Sequence, residues 1–226
     1  MKVLLINGSP RTNGCTKECL LYLKGIFETN KDISCQIIDI PHDIKHCNNC
    51  RVCKTNKTPC IKDGFIKEIF DLVTNADGII IGSSVYYYGI TSQLQAFLTR
   101  LCYSCPHVLE HKLCSFFSVS RRSGNTDCFN QVIKIFQMHN AIMVGGNYVN
   151  EIYGDNPKEI YYDKEGMQSL RFIVNNFMTM IPLLKNAKFN DEKKIHTNFI
   201  SRDFLNFVDE KERREKYIDL IAESYY

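Results

Sequence analysis

A chain of 226 residues, 44% hydrophobic and 23% charged, has enough apolar content for one well-buried α/β domain and something beyond it. That composition excludes disordered and collagen-like classes, and a net charge of +3 spread over scattered lysines offers no basic stripe for a nucleic acid. No apolar run reaches the length of a bilayer span.

In chain order, strand-like runs fall at residues 2–6, 34–40, 78–82, 112–119 and 141–145. The first of these, Val3-Leu4-Leu5-Ile6, stops at a turn and is too short for a secretion signal, so a cytoplasmic location without membrane association is expected. Helical patterns occupy residues 16–28, 65–75, 91–102, 125–138 and 164–181. Alternation of this kind is the pattern of βαβ units on a parallel sheet. It fits a flavodoxin-like three-layer sandwich, α/β, with five strands in the order 2-1-3-4-5. Ligands of such sheets bind outside the carboxyl ends of the strands, which directs attention to the loops after strands one, three and four. Residues 1–184 are expected to form this domain and residues 185–226 a C-terminal extension with a helix from about residue 203. One face of that helix would carry Phe204, Phe207, Val208, Tyr217, Leu220 and Ile221, to pack on its own body or on another subunit.

Strand one runs into Asn7-Gly8-Ser9-Pro10-Arg11-Thr12-Asn13-Gly14-Cys15-Thr16. Glycines allow a tight turn there, and hydroxyls with backbone N–H groups at a helix start make an anion site. The glycines are one residue too far apart for a Walker A loop and no Lys precedes Thr16, so a monophosphate suits the loop better than ATP or GTP. A capped turn that binds nothing is the plainer alternative. After strand three comes Ser83-Ser84-Val85-Tyr86-Tyr87-Tyr88-Gly89, whose tyrosines could wall a flat heteroaromatic ring or pack in the body. The loop after strand four, Ser118-Val119-Ser120-Arg121-Arg122-Ser123-Gly124, brings small residues and a cation toward the same edge.

The connection after strand two, residues 42–64, is long for a compact domain and holds Cys47-x-x-Cys50-x-x-Cys53 and then Cys60. Four thiolates in so compact a run suit a [4Fe–4S] centre. Zinc is the main rival, though its sites usually join two separated C-x-x-C pairs, and a disulfide would leave two thiols unexplained. Of the chain's other cysteines, Cys15, Cys19, Cys35, Cys114 and Cys128 are expected to act as small hydrophobes. Cys102-x-x-Cys105 has redox spacing but sits at a helix end that disfavours a thiolate.

With these residues in view, residues 7–16 resemble the phosphate loop of the NADPH-dependent FMN reductase family, and residues 84–100 its flavin-ring loop and following helix. Residues 120–126, 145–154 and 163–180 are similar to further parts of that family, so the resemblance spans residues 1 to about 181. Ser84, Gln95 and Thr99 depart from it, standing where members often have Pro, Lys and Asp. The resemblance implies FMN, with its phosphate at Ser9, Arg11, Asn13, Gly14, Cys15 and Thr16. The ring is implied to lie against Ser84, Val85, Tyr86, Tyr87, Tyr88 and Gly89, and against Ser120, Arg121 and Gly124. The cysteine run resembles that of the family's iron–sulfur flavoprotein branch. That likeness implies a [4Fe–4S] cluster on Cys47, Cys50, Cys53 and Cys60 and a homodimer or homotetramer.

The expectation is an FMN-dependent oxidoreductase that takes electrons from ferredoxin or NAD(P)H and passes them to a small acceptor such as a quinone, nitro compound, oxygen or peroxide. No acid–base triad is expected. Two alternatives stand beside it: an NAD(P)H-dependent FMN or quinone reductase without a cluster, and a non-enzymatic flavodoxin-type carrier. The slight positive charge tells against the carrier, which usually docks through an acidic surface.

Overall fold

The structure, a computed structural model, describes residues 1–189. Parallel strands β1 (Lys2–Asn7), β2 (Ser34–Asp39), β3 (Gly78–Ser84) and β4 (Leu113–Ser120) form a sheet in the order β2-β1-β3-β4, with β5 (Ile142–Met143) beyond β4. The helices are α1 (Cys15–Phe27), α2 (Val52–Asn56), α3 (Phe65–Thr74), α4 (Ser92–Ser104), α5 (Asn125–Met138) and α6 (Lys164–Lys185), with a 3₁₀ turn at Glu159–Tyr162. Residues Met1–Ala187 make one compact unit. The helix expected from residue 203 lies outside the described residues. Among the described residues no helix is long and apolar enough to cross a membrane.

The strands are apolar on both sides because both sides are covered. Leu4, Ile6, Ile79, Ile81 and Phe116 meet Ile66, Val73, Phe97, Leu101 and Phe136 of α3, α4 and α5. The alternate residues Val3, Leu5, Ile80 and Phe117 meet Leu20, Leu23, Phe27, Ile173 and Phe177 of α1 and α6. The period-2 alternation of each strand thus divides one apolar run between two cores. All eight residues of β4 are buried. Cys19, Cys35, Cys102, Cys105, Cys114 and Cys128 are buried as well. Burial pushes the thiols of Cys35, Cys102 and Cys128 up to about 12, so they are protonated core atoms.

The fifth strand position departs from the expectation of one run over residues 141–145. There β5 pairs only the start of β4, and a second short strand, β6 (Glu151–Tyr153), pairs its far end through Ser118, Val119 and Ser120. The break between them is carried by the side chain of Asn150. Its Nδ2 donates to the Phe116 carbonyl at 2.9 Å, and its Oδ1 accepts from Gly146 N at 3.1 Å and Ser169 Oγ at 2.9 Å. One buried amide therefore satisfies backbone groups that an unbroken strand would have paired. Asp163 then caps α6 by accepting from Gly166 N at 2.9 Å, while its other oxygen holds Tyr153 N at 2.8 Å. In this way the C-terminal end of β6 is fixed beside that of β4, extending the edge where ligands bind.

Candidate functional site: two cavities in one domain

The carboxyl ends of β1, β3 and β4 open onto a cavity of about 360 Å³. Its walls come from Ser9, Arg11, Gly14, Cys15 and Thr16 after β1, Ser84 to Tyr87 at the end of β3, Val119 to Arg121 at the end of β4, and Gly154 and Asp155 after β6. The loop after β1 is pinned tightly. Gly8 N donates to the Gly82 carbonyl at 2.8 Å, and a Cβ on Gly8 would lie 2.9 Å from that oxygen and from Leu94 Cδ2. Thr91, the N-cap of α4, donates its hydroxyl to the Gly8 carbonyl and so ties the first loop to the third.

No side chain caps the start of α1, where Gly14, Cys15 and Thr16 face the cavity. Its first turn thus presents unspent N–H groups and the positive end of the helix dipole. Ser120 Oγ is buried in the same wall without a hydrogen-bond partner. An orphaned hydroxyl and an open helix start, with Arg11 and Arg121 beside them, fit an anionic ligand with a polar ring edge.

The wall after β3 is a two-residue hairpin: Tyr86 N donates to the Gly89 carbonyl and Gly89 N to the Tyr86 carbonyl, each at 2.8 Å. Its corner residues, Tyr87 and Tyr88, have φ of 46° and 60°. Such turns normally take Asn or Gly, and each left-handed tyrosine costs about 1–2 kcal/mol. Tyr87, at this corner, is fully exposed beside the opening.

The second cavity, about 220 Å³, lies under the connection after β2. All four cysteines of that loop, Cys47, Cys50, Cys53 and Cys60, line it, together with Arg51, Lys62, Arg100 and Tyr103. The chain coils tightly around it, with α2 in the middle and four non-glycine residues at positive φ: Asn49, Arg51, Lys57 and Asp63. Among the described residues no three or more His, Cys, Asp or Glu side chains converge where they could hold a metal ion. The four cysteines line one space, with cationic side chains beside it that would offset the charge of sulfur ligands. That donor set fits a polynuclear centre.

Arg100 holds the loop from below. Its side chain is fully buried and forms a two-toothed pair with Asp63, Nη1 to Oδ2 at 2.6 Å and Nη2 to Oδ1 at 2.8 Å. Nη1 also donates to the Lys45 carbonyl at 3.0 Å and Nη2 to that of Lys62. Burial pushes the Asp63 carboxyl up, but the bonds and charge of Arg100 together with the backbone N–H groups of Lys45 and Phe65 outweigh it, and the group sits below its ordinary value.

Residues 1–154 match the NADPH-dependent FMN reductase family. The chain belongs to that family. An iron–sulfur flavoprotein of Methanocaldococcus jannaschii is 30% identical over 82% of this chain and 100% of its own length. A second iron–sulfur flavoprotein of that organism is 27% identical over 80% of this chain and 97% of its own length. This FMN reductase family member therefore falls in the iron–sulfur flavoprotein branch and is an FMN-dependent oxidoreductase. A crystal structure of an NADH:FMN oxidoreductase in its apo form shares the fold, with a TM-score of 0.61 at 16% identity over 79% of this chain and 89% of that one.

Of the residues expected at the flavin, the first cavity gathers Ser9, Arg11, Gly14, Cys15, Thr16, Ser84, Val85, Tyr86, Tyr87, Ser120 and Arg121. Asn13, Tyr88, Gly89 and Gly124 are absent from its walls. Three of these support the wall from behind. Gly89 closes the hairpin, Tyr88 OH accepts from Ser123 Oγ at 3.1 Å, and Gly124 has φ +97° where a Cβ would lie 2.8 Å from Val85 Cγ1. Cys15, half-buried, has its thiol pushed up by burial and donates to the Gly154 carbonyl at 3.6 Å.

Val119, Gly154 and Asp155 were not anticipated. The last two follow β6, a three-residue strand too short to show periodicity. Arg100 was not anticipated either, although its signal is plain: it is the sole charged residue of α4, three positions from Phe97 on the buried face.

Proposed function

We propose that this oxidoreductase takes electrons from ferredoxin or NAD(P)H and delivers them to a small acceptor, a quinone, nitro compound, oxygen or peroxide. In this reading FMN sits in the larger cavity and a [4Fe–4S] cluster is held by Cys47, Cys50, Cys53 and Cys60. The observation that carries it is that all four cysteines of one short loop line a single cavity. The names of the Methanocaldococcus relatives support the same pairing of cluster and flavin.

When bound, FMN exchanges electrons singly or as a pair and the cluster singly. The protein's part is positioning. Backbone N–H groups at the start of α1, with Ser9, Thr16 and Arg11, would hold the phosphate. Ser120 Oγ would donate to a polar atom of the ring, and Tyr86 and Tyr87 would wall the ring and exclude water. Four thiolates would hold the irons, with Arg51, Lys62 and Arg100 offsetting their charge. The two cavities share no lining residue. That separation, and the exposed tyrosines Tyr87, Tyr88, Tyr148 and Tyr162, support a homodimer or homotetramer in which one copy's cysteine loop faces another copy's flavin cavity. Eleven free cysteines suit a reducing, cytoplasmic setting.

Anaerobic purification with flavin, iron and acid-labile sulfide assays tests this reading. Iron and sulfide are expected in equal amounts, at four of each per chain, the composition of a [4Fe–4S] cluster, with flavin alongside. Zinc without sulfide would overturn the cluster and leave an FMN reductase.

A further inference from the structure

We propose that Arg100 is the positioning residue of the cysteine cavity: it locks the two ends of the loop together, and its Nε–H, aimed at Cys60 Sγ, sets the reduction potential of the centre held there. This inference rests on the cluster reading above.

A guanidinium has five N–H donors in a rigid fork and no acceptor. Here all five are used. Four go to oxygen: both Asp63 carboxylate oxygens and the carbonyls of Lys45 and Lys62. These partners flank the cysteine run on both sides, so one side chain fastens the chain before Cys47 and after Cys60. Asp63 extends the clamp by accepting from Lys45 N at 2.8 Å. The fifth donor, Nε, points at Cys60 Sγ at 3.3 Å.

A loop fastener alone does not require this arrangement. Burying a charge completely is costly, and well-packed apolar residues often replace buried ion pairs without loss of stability. What an apolar residue cannot supply is a charged donor on the sulfur. An N–H donated to a thiolate ligand draws negative charge from it and favours the more negative, reduced state of an iron–sulfur centre. Asp63 works in the opposite direction, since its carboxylate offsets the guanidinium charge. Arg100 and Asp63 thus form a balanced pair whose two members shift the potential with opposite signs. A merely structural clamp would respond in the same way to the loss of either member.

The test is a redox titration of the cluster, followed by its own electron-paramagnetic-resonance signal, in wild type, R100K, R100Q and D63N reconstituted to matched iron and sulfide content. R100Q is expected to shift the one-electron equilibrium about tenfold toward the oxidised cluster, a fall of about 59 mV. R100K, which keeps the charge but loses the fork, is expected to shift it less in the same direction. D63N is expected to raise the potential. Unchanged potentials in fully loaded R100Q and R100K overturn the proposal, as does a fall in D63N. If neither arginine variant takes up iron, D63N decides: a rise supports the proposal and an unchanged value overturns it. Wild type that takes up no iron and sulfide overturns the cluster reading and this inference together. Loaded wild type with unmoved variants overturns this inference alone.

Discussion

The two cavities sit in one domain but are built by different means. The larger is made of backbone: glycines that admit close approach, the open first turn of α1, and strand ends held in register by the sheet. The smaller is made of side chains hung on a coil with no strand and one short helix, whose two ends are held by Arg100 and Asp63. A site made of backbone is as rigid as the fold and shares its stability. A site made of side chains on a clamped loop depends on a few bonds and can be lost while the fold persists. The two cavities should therefore be separable by mutation.

The sharpest separation is expected from Cys53→Ala. It should abolish bound iron and sulfide while flavin content and the far-ultraviolet circular dichroism stay at wild-type values, because no residue is shared between the two walls. Loss of flavin as well would break the comparison. Gly8→Val is its counterpart. Crowding against the Gly82 carbonyl and Leu94 should destabilise the fold by about 1–3 kcal/mol in urea unfolding and abolish flavin binding.

Tyr87→Gly sharpens the comparison further. Relief of the left-handed corner should raise the stability of the flavin-free protein by about 1 kcal/mol. Loss of the aromatic wall should weaken FMN binding, measured by quenching of flavin fluorescence, by roughly fivefold, a change of about 1 kcal/mol. The smallest effect is expected from Ser120→Ala. It removes an unpartnered hydroxyl, so the flavin-free protein should be no less stable, while FMN affinity falls by about 1 kcal/mol. Equal losses with and without flavin would show that Ser120 serves packing alone.

Alkylation gives a view across the whole molecule. In metal-free protein near pH 8, iodoacetamide should label the exposed Cys50 and spare Cys35, Cys102 and Cys128. With thiols pushed to about 12, those three hold almost no thiolate until the pH approaches that value or the protein unfolds. Peptide mass mapping reads the pattern, and early labelling of Cys102 would contradict its place in the core.

Much of this was legible locally. Period-2 and helical patterns mark the elements because burial on both faces of a parallel sheet leaves apolar runs of strand length. The loops after β1 and β3 carry their own chemistry in adjacent residues, and the cysteine spacing is complete within fourteen residues, Cys47 to Cys60. The sequence by itself therefore determined the sheet order, the family, and which loops hold the polar and sulfur-bearing groups. Tertiary structure decided what depends on distant residues meeting. It broke the fifth strand at Asn150, whose amide pairs with a β4 carbonyl thirty-four residues away. It moved Tyr88, Gly89 and Gly124 behind the wall of the larger cavity, and it brought Gly154 and Asp155 into that wall. It also carried Arg100 of α4 to Cys60 and Asp63, forty and thirty-seven residues away in the chain. Local pattern records which face a residue shows, but a buried polar group is satisfied by whatever partner the fold carries to it, and only the folded chain supplies that partner.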